Sequence, residues 1–346
     1  MAQVKVKTME EFAALSGLSR PTVSKYFYDP NSVRPKTRAR IEEALDRYDY
    51  RPNVYAMNQN RDLTRTVGIV VPFLADPFFS EISRKIELLC VEAGFRPLLF
   101  SSHGERSLEV ENLKSLLALK PAGALLAPLG RHSDREMIDA FCGEVPTVLF
   151  DSNLEGVANA FIGTDNRQSV GVIVRYLCDS GEPPCLFENR RAPNPNVRSK
   201  MDAYVAAMED CGHAPQIVYA DADGWDFERT GFEGGRRALI ERAFKSNTVL
   251  CGNDRLAVGF LAAAYEQGMR VGKGDGCALR VAGHDDHPFS RFTCPPLTTV
   301  SQDTTRIAEH SLRLLRDQLA ERHVRRPADA RTTILFEGQI VNRASA

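Results

Sequence analysis

At 346 residues the chain is too long for one small core and suits two or three folded units. Its 43% hydrophobic and 26% charged residues are those of an ordinary soluble globular protein. No apolar run approaches the roughly 18 to 20 residues that span a bilayer, and the first residues, MAQVKVKTMEEF, lack the apolar stretch of a signal peptide. The expectation is a soluble, cytoplasmic protein with no membrane partner. The eight cysteines are scattered without a Cys-x-x-Cys pair or zinc-ligand spacing, as expected of reduced structural thiols. The net charge of -1 conceals an asymmetry: residues 1–65 carry 12 Lys and Arg against 8 Asp and Glu, the remainder 32 against 37. The basic part is the N-terminal one, a modest pointer to a polyanionic partner.

In chain order, Thr8-Met9-Glu10-Glu11 reads as a capping box opening a helix that carries Phe12 and Leu15, and Ser16-Gly17 stops it. Ser19 caps a second helix with Pro21 in its first turn, where the missing amide hydrogen costs little. Residues 35–48 make a third, with Ile41, Ala44, Leu45 and Tyr48 at the spacing of a buried stripe. Three short helices, the first two joined by a tight glycine turn, describe a helix-turn-helix unit with a core of Leu15, Leu18, Val23, Ile41 and Leu45.

Arg51-Pro52-Asn53 breaks that unit, and from Thr66 short apolar runs alternate with amphipathic stretches. Strands are expected at 66–72, 95–100, 122–128, 146–151, 160–165, 184–188, 216–221, 247–254 and 279–283, with a helix at 77–93 ended by Gly94. This is the pattern of parallel sheets covered by helices. The fold class is therefore α/β: an N-terminal all-α helix-turn-helix headpiece and a two-lobed core of parallel sheets. Ligands of such sheets bind beyond the carboxyl ends of the strands, where Asp151, Asp165, Asn253, Asp254, Asp285 and Asp286 fall.

The stretch GHDDHPF, residues 283–289, puts two acids between two histidines and invites a metal or acid–base reading. Consecutive residues leaving a strand point in alternating directions, which disfavours convergence of His284, Asp285, Asp286 and His287 on one ion. VGKGDG at 271–276 lacks the spacing of a phosphate-binding P-loop, and no Gly-x-Ser-x-Gly or His-Glu-x-x-His occurs. A carbohydrate-acting enzyme stays an alternative without positive support, and no cofactor or metal is expected.

The segments GLSRPTVSKYF (17–27), VRPKTRARIEEALDRYDYRPN (33–53), TVGIVVPFLADPFFSEI (66–82), LCGNDRLAVGFLAAAYEQGMRV (250–271), RVAGHDDHPF (280–289) and PPLTTVSQD (295–303) together resemble the lac repressor family of bacterial transcription regulators, from about residue 6 to the C-terminus. The resemblance implies a DNA-binding headpiece at 1–52, a hinge at 53–65 and a regulatory core at 66–346 like a periplasmic sugar-binding protein. One lobe is expected at about 66–162 and 295–325, the other at about 163–294 and 326–346. It further implies a homodimer, with a tetramer open, that represses at a near-palindromic operator in double-stranded DNA.

By that resemblance Arg20, Pro21 and Lys25 face base edges from the recognition helix, and Arg20 and Lys25 carry the specificity because both donate to guanine. Thr22, Ser24, Tyr26 and Arg34 are expected phosphate or sugar contacts. In the hinge, Asn53 caps a short helix whose Ala56, Met57 and Gln59 meet the minor groove; Gln59 stands where relatives carry a leucine wedge. In the core the resemblance assigns ligand contacts to Phe73, Asp151, Arg198, Trp225, Phe227, Asn253 and Asp285. Arg198 departs from the pattern, because Met201 and Asp202 replace the Gly and aromatic expected a few residues on; Arg190, Arg191 and Lys200 add positive charge nearby. The expected effector is a sugar, polyol or sugar acid, with a purine or sugar phosphate acting as corepressor as the alternative.

Overall fold

The computed structural model describes residues 4–52, 64–192, 195–321 and 331–346. The expected hinge contacts Asn53, Ala56, Met57 and Gln59 lie outside the described residues. The chain divides into two compact units, residues 1–64 and 65–346.

In the first unit β1 (Val4–Val6) precedes α1 (Met9–Ser16), α2 (Arg20–Tyr28), α3 (Pro35–Arg47) and β2 (Tyr48–Tyr50). The Thr8 hydroxyl accepts from the Glu11 amide while the Glu11 carboxylate accepts from the Thr8 amide, and Gly17 turns left-handed at φ 63° to end the helix. Ser19 caps α2 by accepting from Thr22. The core gathers Phe12, Val23 and Ile41, all fully buried, with Tyr26 and Tyr50; Phe12 stacks on Tyr50 at 4.6 Å. Leu15, expected inside, is 48% exposed, because Phe12 and Ala13 take the inner face of this two-turn helix. β1 and β2 pair in parallel, a contact too short and too distant in sequence to carry a periodicity signal.

The second unit runs β3 (Thr66–Val71), α4 (Pro77–Glu92), β4 (Arg96–Ser101), α5 (Arg106–Ala118), β5 (Gly123–Leu126), α6 (Arg135–Glu144), β6 (Thr147–Phe150) and β7 (Ala160–Thr164). It continues with α7 (Asn166–Asp179), β8 (Cys185–Asn189), α8 (Asn196–Asp210), β9 (Ile217–Ala220), α9 (Phe227–Ile240), β10 (Thr248–Cys251), α10 (Asp254–Glu266) and β11 (Arg280–Ala282). Last come β12 (Thr299–Ser301), α11 (Thr304–Ala320), β13 (Thr332–Phe336) and β14 (Gln339–Val341).

Two parallel sheets result, one ordered β13-β7-β6-β5-β3-β4 and the other β11-β10-β8-β9. Their central strands are buried on both faces and helices cover both sides, which is why they read as continuous apolar runs. β4, at the edge of the first sheet, leaves Leu98 and Leu99 partly exposed and departs from that rule. The chain passes between lobes three times, at 164–166, 301–304 and 336–339, and β12 and β14, which flank the last two passages, pair antiparallel. The expected lobe boundaries are corrected twice: β13 pairs with β7 on the first lobe's sheet, so only the residues after Phe336 leave it, and residues 297–301, expected on the first lobe, join the second, where Thr298 and Ser301 bridge Ala282 and Asp285. Among the described residues no helix is long and apolar enough to cross a membrane.

Candidate functional site

The carboxyl ends of the two sheets face one another across a cleft, and the loops there carry most of the charge buried in this unit. On the first lobe Asp151 follows β6 with φ 61°; on the second Asp285 follows β11 with φ 119°. Left-handed backbone at a side chain other than glycine costs on the order of 1 to 3 kcal/mol and persists only where the surroundings impose it. At Asp285 they do: its amide donates to the Val300 carbonyl at 2.8 Å, and its Oδ1 accepts from Lys200 Nζ at 3.0 Å and Gln302 Nε2 at 2.7 Å and pairs with His284 Nδ1 at 2.9 Å. Burial pushes the Asp285 carboxyl up, but the Lys200 ammonium and the two histidines overcome it and hold the group far below the usual carboxylate range.

Around this pair the GHDDHPF loop is held by hydrogen bonds. Gly283 is required because a Cβ there would meet Asp254 Oδ1 at 2.2 Å. Buried Asp254 accepts from Ser290, the His287 amide and the Thr299 hydroxyl, and Arg343 donates to Asp286 at 2.6 Å. His284 is buried between Asp285 and the Ser169 hydroxyl, 3.0 Å from Nε2, and burial lowers its proton affinity. Ser169 and Gln302 tie the site to α7 and to the second interlobe passage, and Gln302 also accepts from Thr164 at the first.

Asp151 lies on the opposite wall. Its Oδ1 accepts from Asn196 Nδ2 of the second lobe at 3.0 Å, while its buried Oδ2 has no partner. Glu188, at the end of β8, likewise keeps one buried oxygen unpartnered. Burial pushes both acids up to about 7, against the pull of Lys200. An orphaned buried acceptor costs about 1 to 3 kcal/mol, so Asp151, which lines the cavity between the lobes, favours a hydrogen-bond-donating guest, whereas Glu188 packs under Gly252.

Three of the contacts among the described residues join the lobes. Arg255 reaches across to Asp76 at 3.1 Å while its other nitrogens grip Glu228 at 2.6 and 2.7 Å. Trp225 stacks on Phe73 at 5.3 Å and 14°, and Gly104 admits the indole, since a Cβ there would sit 2.2 Å from its nitrogen. Asn196 to Asp151 is the third.

Of the expected ligand residues, Asp151, Asp285, Phe73 and Trp225 converge on this cleft. Phe227 is fully buried under the Arg255 guanidinium and packs rather than lines. Asn253 spends its Oδ1 capping α10 by accepting from Leu256. Arg198, expected to meet the ligand's inner hydroxyls, is 83% exposed and 3.8 Å from Asp202 at the cleft rim. The buried cation of α8 is Lys200, two residues on, with Ala203 and Tyr204 behind it on the helix. Small-then-aromatic three and four residues after Lys200 is the pattern sought after Arg198, so the signal was present in a register shifted by two. Lys200 as the inner cation, and Gln302 and Glu188 beside it, were missed.

On the headpiece, Arg20, Pro21, Lys25 and Arg34 are exposed and Thr22 and Ser24 half-buried. Arg20 pairs with Glu10 at 2.5 Å. Tyr26, expected at a phosphate, is instead in the core, and burial followed by its hydrogen bond to Glu42 raises its phenol.

A helix-turn-helix unit with an exposed basic recognition face and a two-lobed α/β core with a polar cleft define a ligand-responsive DNA-binding regulator. Comparison with known proteins agrees: residues 8–53 match the family of bacterial regulatory proteins, lacI family, and residues 181–346 match a periplasmic binding protein-like domain. The HTH-type transcriptional repressor CytR of Escherichia coli (strain K12) is 30% identical over 331 residues, spanning 93% of this chain and 92% of that one. The ribose operon repressor of the same strain is 27% identical over 336 residues, 95% of this chain and 98% of that one. The crystal structure of the lac repressor bound to ONPG in the repressed state superposes with a TM-score of 0.80 at 22% identity, covering 98% of this chain and 99% of that one. The chain belongs to the lacI family of bacterial regulatory proteins.

Proposed function

We propose that this protein is a transcription repressor that binds a near-palindromic operator as a homodimer and releases or tightens on it when a polyhydroxylated small molecule occupies the cleft between its lobes. The observation that carries the reading is the cleft itself: Asp151, with an unpartnered buried oxygen, lines it, and a Lys200–Asp285 pair is buried nearby. Ligand hydroxyls donate to the former, while the interlobe contacts at Arg255, Asn196 and Trp225 couple occupancy to lobe closure. Relatives named the ribose operon repressor and the HTH-type transcriptional repressor PurR, and a lac repressor dimer solved on operator DNA, support both halves of the reading. Because operator and effector bind one protein, any effect of one on the other's affinity is reciprocal.

Fluorescence anisotropy of a labelled operator with and without ribose, a hexose and adenosine tests it. The expected result is a change of at least fivefold in operator affinity with one of them. Operator affinity indifferent to every ligand that stabilises the protein overturns the coupling.

A further inference from the structure

The rim of the cleft differs in charge from its floor. A cavity of about 670 Å³ opens between the lobes with Asp151 and Asn196 at its inner end and Arg131, Arg167, Arg190 and Arg198 around it. Two carboxyls line it against these four guanidiniums, and Asp165 is occupied in capping α7 by accepting from Gln168. Asp151 is buried with one oxygen unpartnered, and burial raises its proton affinity so that it carries less than a full charge near neutrality.

The guanidiniums of Arg131, Arg167 and Arg198 are weakly committed, while Arg190 also lies over the Tyr219 ring at 4.6 Å. Arg198 stands 3.8 Å from Asp202 and Arg190 3.8 Å from Asp221, and Arg131 donates to His132. Among the described residues Arg167 has no ion pair. The first turn of the 15-residue α8 opens onto the same cavity, its N-cap being Pro195, whose side chain accepts no hydrogen bond. Amides at such a helix start, beside four arginines, form an anion-binding surface, and the orphaned Asp151 oxygen inside calls for a hydroxyl donor.

We propose that the effector is an anionic polyol, a sugar bearing a phosphoryl or carboxylate group, whose hydroxyls turn inward to Asp151 while its anion rests on the α8 N-terminus between Arg131 and Arg198. This deepens the cleft reading above and rests on it. Neutral sugars satisfy only the floor. Arg198 thereby has a ligand role at the outer end of the site, distinct from the inner position held by Lys200.

Isothermal titration of the full chain with ribose, ribose 5-phosphate, gluconate and glucose tests the proposal, with each titration repeated on the Arg131→Gln, Arg198→Gln double variant after circular dichroism confirms its fold. At least one anionic sugar is expected to bind ten times or more tighter than its neutral parent, and the double variant to reduce that gap below threefold. Ribose 5-phosphate ahead of gluconate identifies a phosphoryl group, the reverse a carboxylate. Neutral sugars binding as tightly as the anionic ones, or an anion preference that survives in the variant, overturns the anion site and leaves the cleft reading standing. Heat from none of the four overturns both.

Discussion

Arg255 on the second lobe donates to Asp76 on the first at 3.1 Å, and both side chains are only 10% exposed. The same carboxylate caps α4, its other oxygen accepting from Phe78 at 2.9 Å. One residue therefore fastens a helix start and the closed cleft. Breaking a buried pair costs about 3 to 5 kcal/mol when the surviving charge is stranded, but Arg255 keeps Glu228 and the loss is smaller here. Asp76→Asn, which retains a cap, is expected to lower unfolding free energy in urea by about 1 to 2 kcal/mol. Asp76→Ala should cost about a further 1 kcal/mol for the lost cap. Equal values for the two variants would show that Asp76 has no capping role.

Lys200 and Arg198 should behave oppositely in stability measurements. Removing the ammonium leaves Asp285 buried and uncompensated beside Glu188, so Lys200→Met is expected to destabilise the core by about 3 to 5 kcal/mol. Arg198→Gln, at an exposed site 3.8 Å from its partner, should change stability by under about 0.5 kcal/mol. The reverse order in chemical denaturation would restore Arg198 as the inner cation.

Much of this was legible in the sequence and the remainder was not, for definite physical reasons. Apolar runs bounded by turn residues mark strands β3 to β11, and for central strands such as β3, β5, β6 and β10, buried on both faces, there is no alternation to lose. Thr8, Gly17 and Ser19 marked helix ends because capping is local chemistry. The C-terminal strand region falls on the other lobe than expected because membership of β13 in the first sheet depends on β7, far back in the chain. The two-residue shift from Arg198 to Lys200 matters because two helical positions lie about 200° apart, so one faces solvent where the other faces the core. Tyr26 showed the same limit: an aromatic on a basic helix reads equally as a phosphate contact or as core, and only packing against Phe27 and Val33 decides. Glu188 gave no signal, since an acid ending an apolar strand is ordinarily solvated.

Stability should fall as pH rises toward neutrality on account of Glu188. Burial holds its pKa at about 7 in the folded protein, whereas an unfolded glutamate releases its proton near 4. Between these values folding takes up a proton, so the folded state is progressively disfavoured as pH climbs, and the effect levels off above about 7. Against Glu188→Gln, the native chain is expected to lose about 1 kcal/mol per pH unit between pH 5 and 6.5 in urea titrations. Parallel profiles for the two proteins would contradict a buried, proton-holding Glu188.

Within the headpiece, Lys25 and Tyr26 are neighbours with different expected roles. Lys25→Ala should weaken operator binding by about 1 to 3 kcal/mol and relax preference at one base pair, with little change in melting. Tyr26→Ala should destabilise the headpiece by about 3 kcal/mol or more through the cavity it leaves under Phe27 and Val33. Tyr26→Phe should keep operator affinity within twofold, and a tenfold loss would return the phenol to the phosphate backbone.

The exposed face of α2 carrying Arg20 and Lys25 is expected to bind DNA sequence-specifically. Selection of duplexes bound by the full chain from a randomised pool, followed by titration of the recovered site between 50 and 200 mM salt, tests it most directly. The expected result is enrichment of one near-palindromic site with guanines in each half and an affinity that falls linearly, on logarithmic axes, with salt. Recovery of no common sequence, with binding that is weak and flat in salt, would contradict it.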